Sequence, residues 1–439
     1  MGEAPRGSWT GHVGFVLAAA GSAIGLGNIW MFPYRTGVNG GAAFVLAYLA
    51  AVALVGVPLL VAEVLIGRST KRNPVGAFRE LASGGPWWLV GALGVVTGFV
   101  ILSYYGVVAG WATDYTWRMA TGGLSELDRV GMQESFDNLI ANGWRQVFWQ
   151  ALFMLGTIVV VSRGVEAGIE RASKILMPLL FALILVLLGY SLTSPGAKQG
   201  LAFLFDPRFD ELGWDGALAA LGQAFFSLSL GMGAMITYGS YLEADRPLIR
   251  PAFFIAAMDT ALAILAGLVI FPLVFSFGLE PGAGPGLIFI TLPKVFMLMP
   301  GSSFVATLFF ALVLFAALTS AISLLEVVVC FMIDELGIGR STASWLAGGV
   351  IFALGVPSAT TSGVLDRVDG LATNWLLPVG GLLTAVFAGW FLASRDARAA
   401  YAGTVDDARG YGGWRFCVRF LAPVAVVIIL LKNLGLLGA

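Results

Sequence analysis

Oxygen-bearing side chains stand inside apolar stretches of this chain, where polar groups are costly. Asp259 lies in the middle of the run 256–262 with no cationic residue beside it, and Thr319 and Ser320 lie in another apolar segment. An ionised Asp at the centre of a bilayer costs about 2.5–3.5 kcal/mol, which a bound cation would offset. These residue types are ligands for a hard cation such as Na⁺. The alternatives are a satisfied hydrogen bond near the membrane edge for Asp259 and bonding of the two hydroxyls to their own helix.

Two stretches rich in glycine and small polar residues interrupt long apolar segments. Residues 21–30 read Gly-Ser-Ala-Ile-Gly-Leu-Gly-Asn-Ile-Trp, and residues 225–233 read Phe-Phe-Ser-Leu-Ser-Leu-Gly-Met-Gly. An open backbone group in hydrocarbon costs roughly several kcal/mol, so a helix that unwinds at mid-depth must direct its free carbonyls and amides toward a ligand cavity. Close helix packing through glycines is the alternative for either stretch alone.

These interruptions fall in the first and the sixth apolar segments, at corresponding places of two five-helix halves. Paired interruptions are typical of transporters built from inverted repeats, a rule drawn partly from the family named below. Two matched breaks are far rarer by accident than one. The sequence therefore favours a transporter with a ligand cavity between the first and sixth segments.

The composition is that of a polytopic membrane protein. The chain has 439 residues, 58% hydrophobic and 12% charged, with a mean hydropathy of +0.87, whereas a soluble domain carries about a quarter charged residues. The net charge of −1 indicates neither an acidic nor a basic partner, and nucleic acid is not expected. The sole histidine, His12, and the two cysteines, Cys330 and Cys417, exclude a histidine-based centre and a thiolate metal site. Without a nucleophile–base pair, no enzyme is expected.

The distribution of basic residues predicts the orientation. When the sides alternate, sixteen of the 25 Lys and Arg fall on the N-terminal side, which predicts a cytoplasmic N-terminus and an external C-terminus. Arg6 and the apolar run after it loosely fit a signal peptide, but the run continues into Phe32-Pro33, so no cleavage is expected. We expect a multi-pass protein of the plasma membrane, such as a bacterial inner membrane.

The predicted fold is all-α, with eleven transmembrane helices in two inverted five-helix repeats whose first and sixth helices are unwound. Segments of about 20 apolar residues can cross a bilayer. The predicted spans are 12–36, 41–67, 88–118, 144–162, 168–191, 216–240, 252–278, 302–333, 342–357, 371–393 and 415–436. The predicted organisation is a cytoplasmic segment 1–11, a first repeat 12–191, an extracellular loop 192–215, a second repeat 216–393 with a re-entrant loop 279–301, and a cytoplasmic loop with the eleventh helix at 394–439.

With both interruptions in view, the chain resembles a prokaryotic, eleven-helix member of the neurotransmitter:sodium symporter family, with the leucine-transporter fold. The resemblance covers nearly the whole chain and implies sodium-coupled import of a neutral, hydrophobic or aromatic L-amino acid by alternating access. A non-transporting amino-acid sensor and a symporter for a taurine- or GABA-like osmolyte are the alternatives. The motifs that carry the resemblance are 21–34, Glu63-x3-Gly67-Arg68, Tyr104-Tyr105, 227–241 and Leu318-Thr319-Ser320.

The resemblance implies two sodium ions and no chloride. Members of the family that depend on chloride carry a serine one helical turn after the Asp259 position, where this chain has Ala263. Asp259 itself adds negative charge to a sodium shell. One ion would bind the Ala23 carbonyl, Asn28, Ser227 and Asp259, and the second would bind the carbonyls of Gly21, Ile24 and Ala316 with the hydroxyls of Thr319 and Ser320.

The same resemblance implies an amino-acid site beside the first ion. The free amides of Leu26 and Gly27 at a half-helix N-terminus suit the substrate carboxylate, as does the Tyr105 hydroxyl. The carbonyls of Ala23, Phe226 and Ser227 and the Ser229 hydroxyl would accept from the substrate ammonium. Ordinary helix packing is the alternative for each lining residue, and the side-chain pocket would consist of Ser22, Ile101, Val108, Phe226, Met232, Ser320 and Leu324.

The gates are partly altered relative to the family pattern. Tyr105 and Phe226 would close over the substrate, and Asp369 is present, but Met31 stands where its Arg partner is usual and Arg35 is the only nearby substitute. On the inner side, Arg6 and Asp334 match the gate pair, with Trp9 and Tyr241 beside them. Gly168 and Pro178 match a feature of helix five that permits local unwinding, simple kinking at the proline being the alternative. The expected partners are the substrate and the bilayer, and the expected state is a monomer or weak dimer.

Overall fold

The computed structural model describes residues 7–82, 84–124, 129–243, 248–278, 286–297, 302–392, 398, 401 and 410–436. Every named element in these ranges is helical, and the only extended pairing among them is an isolated bridge between Gly41 and Pro207. The predicted all-α fold is confirmed.

Nine helices in this part of the chain are long and apolar enough to cross a membrane, and a bent pair makes a tenth. We number the spans in chain order. The nine are span 2 (Ala42–Thr70), span 3 (Trp88–Ala120), span 4 (Gly143–Ser162), span 5 (Val165–Leu192), span 7 (Ile249–Ser276), span 8 (Ser302–Leu336), span 9 (Arg340–Thr360), span 10 (Val364–Phe391) and span 11 (Tyr411–Asn433).

Spans 1 and 6 are the broken ones. Span 1 consists of His12–Ala23 and Gly27–Val38, which meet at 52°. Span 6 consists of Phe209–Ser227 and Ala234–Ser240, separated by six residues that include Ser229 with φ 54°. A positive φ costs a non-glycine residue energy that the surroundings must supply. Both interruptions predicted from the sequence are therefore present.

Several boundaries differ from the predicted ones. Span 10 begins at Val364 instead of 371, because its first turns carry Asp366, Arg367 and Asp369 and so lie outside the apolar run. In the predicted re-entrant loop, residues 287–297 are helical, while 279–285 and 298–301 lie outside the described residues. The division into two inverted repeats stays a prediction.

The centre of the bundle is formed by spans 3 and 8, which pack along each other over most of their length. The second half of span 6 packs against span 2. Glu63 on span 2 is fully buried and its Oε1 accepts from the Gly231 amide at 2.7 Å. This contact ties the break in span 6 to an intact helix, so the unwound backbone is held in one place.

Candidate functional site

A small pocket lies between the two broken spans. Its volume is about 30 Å³, which is room for about one water, so an amino acid would enter only if side chains such as Phe226 or Met232 moved. Residues from both breaks line it, together with residues from spans 3 and 8. The lining is Ser22, Ala23, Gly25, Leu26, Gly27, Ile101, Tyr105, Phe226, Ser227, Ser229, Met232, Ser320 and Leu324.

This lining contains every predicted pocket residue except Val108. Val108 lies further along span 3 and lines a larger cavity of about 600 Å³, which we call the vestibule. Gly25 was not predicted and does line the pocket. A Cβ on Gly25 would lie 2.6 Å from the Ser320 Oγ, so only glycine permits this approach of span 1 to span 8.

Asp259 is fully buried on span 7 and points into the protein. Its Oδ1 accepts from the Asn28 Nδ2 at 2.7 Å, and its Oδ2 accepts from the Ser227 Oγ at 2.7 Å and the Tyr48 hydroxyl at 3.1 Å. The Asn28 Oδ1 accepts from the Gly25 amide at 3.0 Å. A cation bound here would require the Asn28 amide to turn its oxygen toward the ion.

A second cluster of oxygens surrounds the end of the first half of span 1. The Ser320 Oγ donates to the Ile24 carbonyl at 3.1 Å, and the Thr319 Oγ1 donates to the Ala316 carbonyl at 3.0 Å. Gly21 packs directly on Thr319, since a Cβ added there would lie 3.1 Å from the Thr319 Cβ. The structure thus brings together the five residues predicted for the second ion: Gly21, Ile24, Ala316, Thr319 and Ser320.

The polar end of the pocket is formed by backbone groups of both breaks. The Leu26 amide donates to the Tyr105 hydroxyl at 3.3 Å, and the Ser229 Oγ donates to the Ser22 carbonyl at 2.8 Å. Gly27 lies under the Phe226 ring, where a Cβ would be 2.9 Å from the Cδ1. Donors and acceptors of this kind can recognise a carboxylate and an ammonium group close together.

The vestibule carries the predicted outer-gate residues without the usual ion pair. Asp366, Asp369 and Met31 line it, together with aromatic side chains. The Arg35 Nη1 donates to the Ala219 carbonyl at 3.1 Å, and no ion pair joins Arg35 to Asp369 in the described chain. The expectation that Arg35 replaces the gate arginine is not met in this conformation, because the residue contacts span 6 instead.

At the opposite end, which carries Trp9, a buried network closes the bundle; we call this end the N-terminal face. The Trp9 Nε1 donates to the Tyr238 carbonyl at 2.9 Å. The Tyr241 hydroxyl donates to the Glu326 Oε1 at 2.5 Å, and Arg340 donates to both Glu326 oxygens at 2.7 and 2.8 Å. Glu326 is fully buried on span 8, so these contacts lock spans 6, 8 and 9 together.

The predicted pair of Arg6 and Asp334 is described only in part. Arg6 lies outside the described residues. Asp334 accepts from the Asn73 backbone amide at 2.8 Å and the Asn73 Nδ2 at 2.9 Å. Asp334 therefore anchors the start of the short helix Pro74–Leu81.

Gly168 and Pro178 both lie in span 5, near its contact with the N-terminal segment. Gly168 belongs to the wider helical turn Val165–Glu170, and Pro178 lies within the regular helix that follows. Glu170, almost fully buried, accepts from the Thr10 backbone amide at 2.9 Å and also from the Thr10 hydroxyl. In this conformation span 5 is wound through the whole segment.

Four residues of these networks were not predicted: Tyr48, Glu170, Glu326 and Arg340. Glu170 and Glu326 stand within or beside apolar runs, which is the same signal that singled out Asp259. Tyr48 gave no such signal, because a tyrosine in an apolar segment is ordinary.

Comparisons with known proteins agree with this arrangement. A sequence profile described as the Sodium:neurotransmitter symporter family matches residues 6–128 and 130–437. An uncharacterized sodium-dependent transporter, YhdH of Bacillus subtilis (strain 168), is 39% identical over 100% of both chains. An uncharacterized sodium-dependent transporter of Haemophilus influenzae is 33% identical over 98% of both. The crystal structure of MhsT in complex with L-phenylalanine is similar with a TM-score of 0.90 and 46% identity, over 98% of this chain and 100% of that one.

Proposed function

Because this chain belongs to the sodium:neurotransmitter symporter family and is a sodium-coupled transporter, not an enzyme, we propose that it imports a neutral, hydrophobic or aromatic L-amino acid by alternating access. The observation that carries the proposal is the pocket between the two broken spans, whose lining contains no charged side chain. A charged substrate side chain would be left unpaired there. MhsT, to which this chain is similar, was crystallised with L-phenylalanine.

We propose two sodium ions. The first would be held by the Ala23 carbonyl, Asn28, Ser227 and Asp259, beside the substrate carboxylate. The second would be held by the carbonyls and hydroxyls of the cluster around Thr319 and Ser320. Support comes from the distances above, which place these oxygens around two points at the break in span 1.

The substrate would lie with its carboxylate against the amides of Leu26 and Gly27 and the Tyr105 hydroxyl. Its ammonium would face the carbonyls of Ala23 and Phe226 and the Ser229 hydroxyl. Met232, Ile101 and Leu324 would surround its side chain, and Met232 can adapt to more than one shape.

Transport would proceed as the two faces open in turn. Phe226 and Tyr105 would cover the substrate from the vestibule, and the contacts of Trp9, Tyr241 and Glu326 would open toward the cytoplasm. Unwinding near Gly168 would release the second sodium ion inward. We place the N-terminal face in the cytoplasm and the C-terminus outside, in a bacterial inner membrane, and expect a monomer or weak dimer with two five-helix repeats.

Uptake into proteoliposomes tests the proposal. Two charges crossing 100 mV gain about 4.6 kcal/mol, which at about 1.4 kcal/mol per decade supports roughly three decades of accumulation. We expect L-phenylalanine uptake that requires external sodium and rises when a potassium diffusion potential makes the interior negative. Binding without uptake would favour the sensor, and uptake of taurine or GABA in preference to phenylalanine would favour the osmolyte carrier.

A separate prediction concerns chloride. Asp259 already places a negative charge beside the first sodium position, and Ala263 offers no hydroxyl to a halide. We expect uptake to remain within about twofold when gluconate replaces chloride at constant sodium, because the carboxylate supplies the charge that an anion would otherwise supply. The measurement is the initial rate of sodium-driven uptake, and a loss of most of the rate would contradict the prediction.

A further inference from the structure

A second cavity lies behind the vestibule, on the other side of Phe226 and Met31. It has a volume of about 140 Å³ and lies between spans 1, 6, 10 and 11. Phe226 and Met31 line both this cavity and the vestibule, so their side chains form the wall between the two. We call it the basic cavity, because its charged lining residues are Arg35 and Lys432 and no carboxylate lines it in the described chain.

Arg35 has more hydrogen-bond donors than the protein satisfies. A guanidinium carries five N–H donors, and the hydrogen bond of Arg35 within the described chain is the one to the Ala219 carbonyl. Space remains on the side of span 6, where a Cβ on Gly222 would still lie 3.8 Å from the Arg35 Nη1. A charged group withdrawn from water needs a counter-charge.

The carboxylate that could neutralise Arg35 lies in a different compartment. Asp369 lines the vestibule and does not line the basic cavity. Met31, which stands at the position where the family usually has arginine, lies between the two. The positive charge of Arg35 therefore faces a space of its own.

The opposite side of the basic cavity supplies further donors from the end of span 11. Lys432 pairs with Asp215, whose side chain is mostly exposed and lies outside the lining. The Asn433 Nδ2 donates to the Asn374 carbonyl at 2.8 Å, which fixes span 11 against span 10. An ammonium and a guanidinium around one small cavity suit a carboxylate or a halide.

We propose that the basic cavity binds a small monovalent anion, either a halide or the carboxylate of a small organic acid, held by Arg35 with Lys432 at its mouth. The anion neutralises Arg35 and joins span 1 to the end of span 11. Its position is separate from the surroundings of Asp259 and from the substrate pocket. The proposal does not rest on the identity of the transported substrate, because it is read from anion binding alone.

Thermal unfolding of the purified full chain tests this site. In sodium 2-(N-morpholino)ethanesulfonate, whose anion is too bulky for the cavity, replacement by sodium chloride or sodium acetate at constant sodium should raise the unfolding midpoint by about 2 °C or more, since a ligand that binds only the folded state stabilises it. Arg35→Gln should abolish the rise and Lys432→Gln should reduce it. Arg208→Gln, in an exposed pair with Glu211, is the matched control and should keep it.

Crystals of the wild-type chain grown with sodium bromide give a readout that does not depend on any variant. Anomalous density beside Arg35 would support the proposal. A response to chloride alone identifies a halide site, and a response to acetate alone identifies a carboxylate site. An unfolding midpoint that ignores both anions, an equal rise in Arg35→Gln, or bromide only beside Asp259 would overturn it.

Discussion

Asp259→Ala is expected to abolish sodium-dependent substrate binding. Asp259 is fully buried and accepts hydrogen bonds from Asn28, Ser227 and Tyr48. Its removal leaves three buried donors without an acceptor, each costing about 1–3 kcal/mol, and takes the only charged ligand from the proposed first sodium site. A loss of about 3 kcal/mol in sodium binding corresponds to a roughly hundredfold higher sodium requirement.

Asp259→Asn separates charge from shape. The asparagine keeps the side-chain size and one oxygen, so we expect a folded protein whose half-saturating sodium concentration for phenylalanine binding rises about tenfold. Met258→Leu is the matched control, because Met258 is the neighbouring residue on span 7 and forms no part of the cluster. The measurement is radiolabelled phenylalanine binding as a function of sodium. An unchanged sodium requirement in Asp259→Asn would remove the carboxylate from the site.

The sequence was sufficient to locate the breaks in spans 1 and 6, because lipid makes open backbone expensive and glycine with small polar residues is the composition that tolerates it. It also singled out Asp259, since a carboxylate in an apolar run has few explanations. Apolar runs located the other spans, but not the polar first turns of span 10. Local sequence rules therefore predict which helices break and which residue types line the pocket.

Pairings between distant helices could not be predicted in the same way. Tyr48 reaches Asp259 across 211 positions of the chain, and Val108 lies in the vestibule because of a helical rotation that hydropathy does not fix. Gly25 was missed because its role is to let Ser320 approach, which is a property of two helices together. The Met31 exchange was visible in the sequence, but the separation of Arg35 from Asp369 depends on where Phe226 and Met31 pack.

The network of Glu326, Arg340 and Tyr241 is expected to hold the N-terminal face closed. Removing one partner of a buried ion pair typically costs 3–5 kcal/mol, because the remaining charge is uncompensated. In Glu326→Gln the Arg340 guanidinium loses its carboxylate, so the closed arrangement loses stability relative to one in which Arg340 reaches water. A change of about 3 kcal/mol shifts the ratio of open to closed molecules roughly hundredfold.

Cys330 is a native reporter of this opening. It is buried one helical turn after Glu326 on span 8, so maleimide should reach it only when the N-terminal face opens. In a Cys417→Ala background we expect Glu326→Gln to raise the rate of Cys330 labelling at least tenfold, with Cys330→Ser defining the unlabelled baseline.

Two further variants decide whether charge or packing closes this face. The double variant Glu326→Leu, Arg340→Met replaces the buried pair by apolar side chains, an exchange that is often neutral or stabilising, and should return labelling toward the wild-type rate. Arg208→Gln breaks only an exposed pair worth about 0–1 kcal/mol and should leave it unchanged. If Glu326→Gln labelled no faster than the parent, the aromatic contacts of Trp9 with Tyr238 and Tyr241 would be sufficient for closure, and the ion pair would serve stability alone.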